Sequence, residues 1–152
     1  MSKKLDLEAI KSRIGSGYPA PYDEPCRRRE RKALGDAGEL TQFGVNLLRL
    51  PAGEWSSQRH WHSAEDEFVY VLAGEVTLVT NEGEEVLQAG DCAAFKAGEP
   101  NGHHLQNRSD QDALILEIGS RNVADGTVYP GIDLLIPPGT DTYTRGDGTP
   151  YE

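Results

Sequence analysis

From residue 29 onward, apolar positions come in short runs broken by glycine and acidic turns. Phe43, Val45 and Leu47 alternate with Gly44 and Asn46, and Leu48 and Leu50 then change phase. That pattern predicts a strand with a bulge or twist. Phe68–Leu72 and Glu75–Thr80 have strand length, and Asn81-Glu82-Gly83 turns the second of these into a strand over 84–87. Cys92–Phe95, His103–Gln106 and Ala113–Ile118 continue the series, with Val128-Tyr129 and Leu134–Ile136 beyond it. Regular short strands with glycine-rich turns predict an all-β sandwich or barrel. Ahead of it, Leu7, Ile10 and Ile14 fall on one side of a helix over 6–14, capped by Asp6 and stopped by Gly15. Tyr18-Pro19-Ala20-Pro21-Tyr22 follows as an extended arm, since each proline pushes its predecessor out of helical space. After Ser120 the chain loosens into an irregular tail.

Length and composition sharpen this picture. A chain of 152 residues suits one domain with a real core, and 17 Gly with 9 Pro disfavour a helical bundle. No apolar run has the length of a membrane span and no secretory signal is visible, so the expected location is cytoplasmic. A net charge of −10 argues against nucleic acid and anionic membranes as partners. The basic run Cys26-Arg27-Arg28-Arg29-Glu30-Arg31-Lys32 is the exception. Its expected role is the solvated face of an edge strand, the alternative being contact with an anionic partner. Cys26 and Cys92 share no metal-site spacing. Both are expected to be buried or half-buried thiols, Cys92 as a small core residue.

The candidate chemistry lies in two segments that hold all four histidines: His60-Trp61-His62 through Glu67, and Gly90-Asp91 through His103-His104 to Asn107. On a strand, residues two apart share a face. His60 and His62 can therefore grip one ion, with Trp61 turned away and Gln58 pointing inward beside them. Glu67 shares parity with Val69 and Val71. A carboxylate on an inward apolar face is costly unless paired or metal-bound, which favours Glu67 over Glu65 and Asp66 in the intervening turn. His103 or His104 completes a set of imidazoles and carboxylate suited to a divalent first-row metal.

Gly53, His60-x-His62, four residues, Glu67, six residues and Gly74 resemble the first conserved motif of the cupins. Gly90-Asp91, Phe95, Gly98, His103, three residues and Asn107 resemble the second. The resemblance implies a double-stranded β-helix, or jelly-roll, barrel. It implies one bound Fe, Mn, Ni, Co, Cu or Zn, with His60, His62, Glu67 and His103 as ligands. His103 is preferred to His104 because it keeps the gap to Asn107. The chain then divides into an N-terminal helix and arm (1–42), a barrel core (43–119) and C-terminal strands and tail of the same domain (120–152). Gly53 lies one residue further from His60 than is usual, Lys96 stands where proline is usual, and Glu99–Gly102 lengthens the approach to His103. These departures touch the rim more than the ligands.

With the histidines committed, no Ser-His-Asp or Cys-His nucleophile set is available. No catalytic group is assigned. The nearest candidates are Tyr70, Gln58, Glu65 and Lys96, with Asp66 and Glu99 as further acids; the acidic net charge disfavours a multiply phosphorylated substrate, and Lys96 and Arg108 are the nearest bases that could offset it. The expected function is a small metal-dependent enzyme with isomerase-like or dioxygenase-like chemistry on a small oxygen-rich molecule. The alternative is a non-catalytic module that binds a sugar-like ligand. Exposed edge strands and the arm favour a homodimer.

Overall fold

A computed structural model of the chain describes residues 3–151. Twelve strands form two antiparallel layers. In chain order they are β1 (Arg13–Ile14), β2 (Glu30–Ala33), β3 (Phe43–Leu50), β4 (Trp61–His62), β5 (Glu67–Ala73), β6 (Glu75–Thr80), β7 (Gly83–Gln88), β8 (Cys92–Phe95), β9 (His104–Gln106), β10 (Ala113–Ser120), β11 (Thr127–Val128) and β12 (Leu135–Ile136). One layer is a six-stranded sheet in the order β1-β2-β3-β10-β5-β8. The other comprises β7-β6-β9 and β4-β11-β12, joined by the bridges His60–His103 and Trp55–Gln106. This is the jelly roll that the strand pattern and the two motifs lead one to expect. Among the described residues, no helix is long and apolar enough to cross a membrane.

Between the layers lies a core of Leu48, Leu50, Val69, Val71, Val76, Leu78, Leu87, Leu105, Ala113 and Ile115. Full burial of each larger aliphatic side chain contributes about 2 kcal/mol. The turn from β5 to β6 depends on Gly74, at φ +80°. A Cβ there would meet the Asp112 carbonyl at 2.8 Å, so no other residue fits without displacing the start of β10.

Several expectations need correction. The helix over 6–14 is a single 3₁₀ turn, Leu7–Ala9, although Asp6 does cap it by accepting from the Glu8 N–H at 3.1 Å. Leu7 and Ile14 remain exposed, so a longer helix would have had nothing to pack on. Arg13 and Ile14 pair with β2 instead. The arm is extended only as far as Pro19. Residues 20–23 then turn, with a cis Ala20–Pro21 bond and the Tyr22 N–H donating to the Pro19 carbonyl. Strand β3 pairs with β10 in unbroken register from Phe43 to Leu50, without a bulge. Its inward positions simply change from Gly44 and Asn46 at a cavity to Leu48 and Leu50 in the core. The register shift falls between β10 and β5, at Leu114/Ile115.

Cys92 is exposed, because it stands opposite the outward Tyr70 while Ala93 and Phe95 take the inward positions of β8. Cys26 is buried as expected, in a second cluster with Tyr18, Tyr129 and Leu134 that joins the arm to the C-terminal strands. Nor is the basic run uniformly a solvated face. Arg29 is 7% exposed and Arg31 is half-buried. Arg29, just before β2, and Arg31, within it, both line the space between the layers.

Candidate metal centre

The bridge between the two halves of the second layer places two of the four predicted ligands. The His60 N–H donates to the His103 carbonyl at 3.2 Å, and the His103 N–H donates back to His60 at 2.9 Å. His62 follows on the same face. Glu67 opens β5 in the opposite sheet and reaches across to all three rings. Its Oε1 lies 2.8 Å from His103 Nε2, 3.3 Å from His60 Nε2 and 3.4 Å from His62 Nε2. His60, His62 and Glu67 have donor atoms within 4.8 Å of one another, as do His62, Glu65 and Asp125, and His103 joins the first group through Glu67. Phe95 stacks flat on the His103 ring at a centroid distance of 3.6 Å, fixing its plane.

The other ring nitrogens determine which nitrogen each ring presents to Glu67. His60 Nδ1 faces the Gln58 carbonyl at 2.8 Å, His62 Nδ1 faces Asp125 Oδ2 at 2.7 Å, and His103 Nδ1 faces the Asn101 carbonyl at 3.4 Å. Each partner is an acceptor, so each neutral ring carries its proton on Nδ1 and turns a bare Nε2 lone pair toward Glu67. Three lone pairs and a carboxylate oxygen repel one another unless a cation sits among them. Such an arrangement of imidazoles, each backed by an acceptor, fits a divalent ion.

The electrostatics agree. Burial alone would lower the His60 pKa, yet the Glu67 carboxylate raises it above the ordinary histidine value. Burial alone would raise Glu67, but His60, His103 and His62 hold it well below the usual carboxylate range. Positive charge is thus favoured at the centre of the cluster. Burial lowers His103, which favours its neutral form as a ligand.

These side chains line one end of a cavity of about 320 Å³ between the layers. The remaining predicted site residues divide. His104 borders the cavity but does not contact Glu67: its Nδ1 donates to the Ser57 carbonyl at 2.8 Å, its Nε2 meets Gln106, and its ring stands against Trp55. Gln58 is buried but turned to the arm, donating to the Tyr22 carbonyl at 2.8 Å. Residues 56–59 are bends rather than strand, so the parity expected of Gln58 does not hold there. Tyr70 is outward and 38% exposed, since it alternates with Val69 and Val71. Glu65 does line the cavity, with Oε2 accepting from the Asn122 N–H at 2.8 Å. Lys96 and Glu99 are exposed at the rim of an adjoining pocket, Asp66 caps the Ala97 N–H, and Arg108 pairs with Glu84 outside the site.

Three participants carry no motif. Asp125 comes from the loop before β11. Arg31 and Glu117 form an ion pair in the cavity wall, at 2.7 and 3.0 Å. The two-residue spacing of Arg29 and Arg31 at the start of β2 was the one readable signal.

The cupin domain family matches residues 46–119. No curated protein matches the chain. Among solved structures, a sugar phosphate isomerase of the cupin superfamily from Silicibacter pomeroyi DSS-3 is 45% identical over 98% of this chain and 96% of its own, with a TM-score of 0.91. A provisionally assigned sugar phosphate isomerase from Acidithiobacillus ferrooxidans is 28% identical over 82% of this chain and 81% of its own, with a TM-score of 0.71. The polyketide cyclase RemF from Streptomyces resistomycificus is 19% identical over 79% and 80% respectively, with a TM-score of 0.62, a likeness of fold alone.

Proposed function

The chain belongs to the cupin superfamily, and from that premise we propose that it is a metal-dependent enzyme that isomerises a small oxygen-rich molecule of the sugar phosphate kind. The observation that carries this reading is the convergence of three imidazole Nε2 atoms on Glu67 Oε1 at one end of a small cavity. His60, His62, Glu67 and His103 would hold the ion. A divalent ion there supplies Lewis-acid polarisation of a substrate carbonyl or enediolate oxygen. The name of the Silicibacter relative supports isomerase chemistry over other cupin reactions.

The protein's own groups divide the remaining work. Gln58, Asp125 and Asn101 hold the three rings in the tautomer that presents Nε2. Phe95 covers His103 and keeps water from that side. Glu65 is the cavity carboxylate that contacts neither Glu67's three imidazoles at hydrogen-bond distance nor Arg31, although it lies within 4.8 Å of a His62 nitrogen. Anchored through one oxygen, it can take a proton from the carbon beside the substrate carbonyl and return it to the former carbonyl carbon, while the hydroxyl proton of the first carbon passes to the former carbonyl oxygen.

Metal-reconstituted protein incubated with aldose and ketose phosphates in D2O tests the reading. Interconversion with deuterium entering the substrate, lost in His62→Ala, is the expected result. Oxygen consumption by iron-loaded protein with diols or diketones, without such exchange, would replace it by oxygenase chemistry. Tight binding of a sugar-like ligand without turnover would replace it by a binding module.

A further inference from the structure

We propose that the arginine-lined end of the same cavity is a binding site for the phosphate of a singly phosphorylated small molecule, formed by Arg13, Arg29, Arg31 and Arg121. The proposal rests on reading the cavity as the substrate site. All four residues line it, Arg29 and Arg31 away from the basic run's expected place on the surface, Arg13 and Arg121 at its exposed edge.

Arg29 carries the argument furthest. Only 7% exposed, it has no carboxylate within ion-pair distance among the described residues. Its Nε donates to the Gly15 carbonyl at 3.1 Å and its Nη1 to the Ser56 carbonyl, while no partner engages Nη2. A guanidinium cannot shed its charge, so its burial without a counter-ion is costly unless an anion arrives. Arg31 beside it is neutralised by Glu117 and also donates to the Ser56 carbonyl, at 2.9 Å. Arg13 and Arg121 have no side-chain hydrogen bond or ion pair among the described residues. Arg121 lies flat over Gly44, where a Cβ would come within 1.9 Å of its Nη2. Glycine at this position lets the guanidinium reach the cavity edge.

Arg13, Arg29, Arg31 and Arg121 set against Glu65, Glu67 and Glu117 leave the cavity lining with a formal excess of one positive charge, in a protein of net charge −10, and a divalent ion held by the imidazoles would raise that excess. That excess suits a phosphate dianion better than a monocarboxylate, and guanidinium forks match phosphate oxygens. Ser56 and Ser57 connect the two ends. The Ser56 carbonyl holds Arg29 and Arg31, and the Ser57 hydroxyl lies 3.3 Å from His60 Nδ1.

Calorimetric titration of chelator-stripped, full-length protein with inorganic phosphate at low ionic strength tests the proposal. The expected result is one phosphate per chain, with acetate binding more weakly. His62→Ala should retain phosphate binding. Arg13→Ala and Arg121→Ala, both exposed positions whose replacement spares the core, should each weaken it by about tenfold. No phosphate binding, acetate binding as tightly, loss in His62→Ala, or wild-type affinity in both arginine variants would each overturn it. Because no metal or turnover is involved, failure of the isomerase reading leaves this result untouched. A protein that isomerises but binds phosphate without Arg13 and Arg121 would sink only the subsite.

Discussion

Asp125 Oδ2 lies 2.7 Å from His62 Nδ1, while its Oδ1 accepts the backbone N–H groups of Ala64 and Glu65 at 2.8 and 3.1 Å. One side chain thus ties the turn between β4 and β5 to the tautomer of a metal-side histidine. Asp125→Ala removes the acceptor that holds the His62 proton on Nδ1. Metal affinity should fall by about tenfold or more, with a measurable loss of ring order. Competition with a chromophoric chelator reads the affinity.

His104 is next in sequence to a proposed ligand yet has a structural role. Burial holds its pKa down to about 4, so the ring is neutral at pH 7, hydrogen-bonded to Ser57 and packed on Trp55. His104→Ala should keep a full complement of metal while losing about 2 kcal/mol of stability. Elemental analysis and denaturant unfolding on the same sample check both parts.

Removing Glu117 strips Arg31 of its carboxylate, next to Arg29, which has none among the described residues. Burial alone would lower the Arg31 pKa, and Glu117 reverses this and raises it. Glu117→Gln should therefore destabilise the fold by about 2 kcal/mol, less than a fully buried pair would cost, since both side chains retain some exposure. The double variant Arg31→Met/Glu117→Met should be more stable than the Glu117→Gln single variant. Urea unfolding of the series measures the coupling.

The two thiols should differ in reactivity. Burial pushes Cys26 up to about 11, beneath the arm and the C-terminal strands, whereas Cys92 is exposed on β8. At pH 8 an alkylating reagent should label Cys92 alone in native protein and both thiols after unfolding. Peptide mass mapping distinguishes them.

The parts of this site legible in the sequence are those governed by strand alternation. His60, His62 and Glu67 share the inward face with Val69 and Val71, and the structure brings them together. The same rule, applied to Tyr70 and Cys92, would have placed both outward; apolar neighbours obscured it. It could not place Gln58, because the backbone from 56 to 59 is bent. Arg29 and Arg31 were hidden by company of another kind: a run of five bases looks like surface, and only pairing with β3 shows which bases turn inward. Asp125 gave no signal, since it reaches His62 from an irregular loop 63 residues away. Local periodicity survives in the sequence, whereas contacts made across the layers do not.

Metal content of untagged native protein, compared with that of His62→Ala prepared identically, tests the central claim most directly. About one first-row divalent ion per chain in the native protein and a small fraction of that in the variant is the predicted result. A native protein that takes up no such ion when offered iron, manganese, nickel, cobalt, copper or zinc, or a variant that binds as much as the native protein, would contradict it.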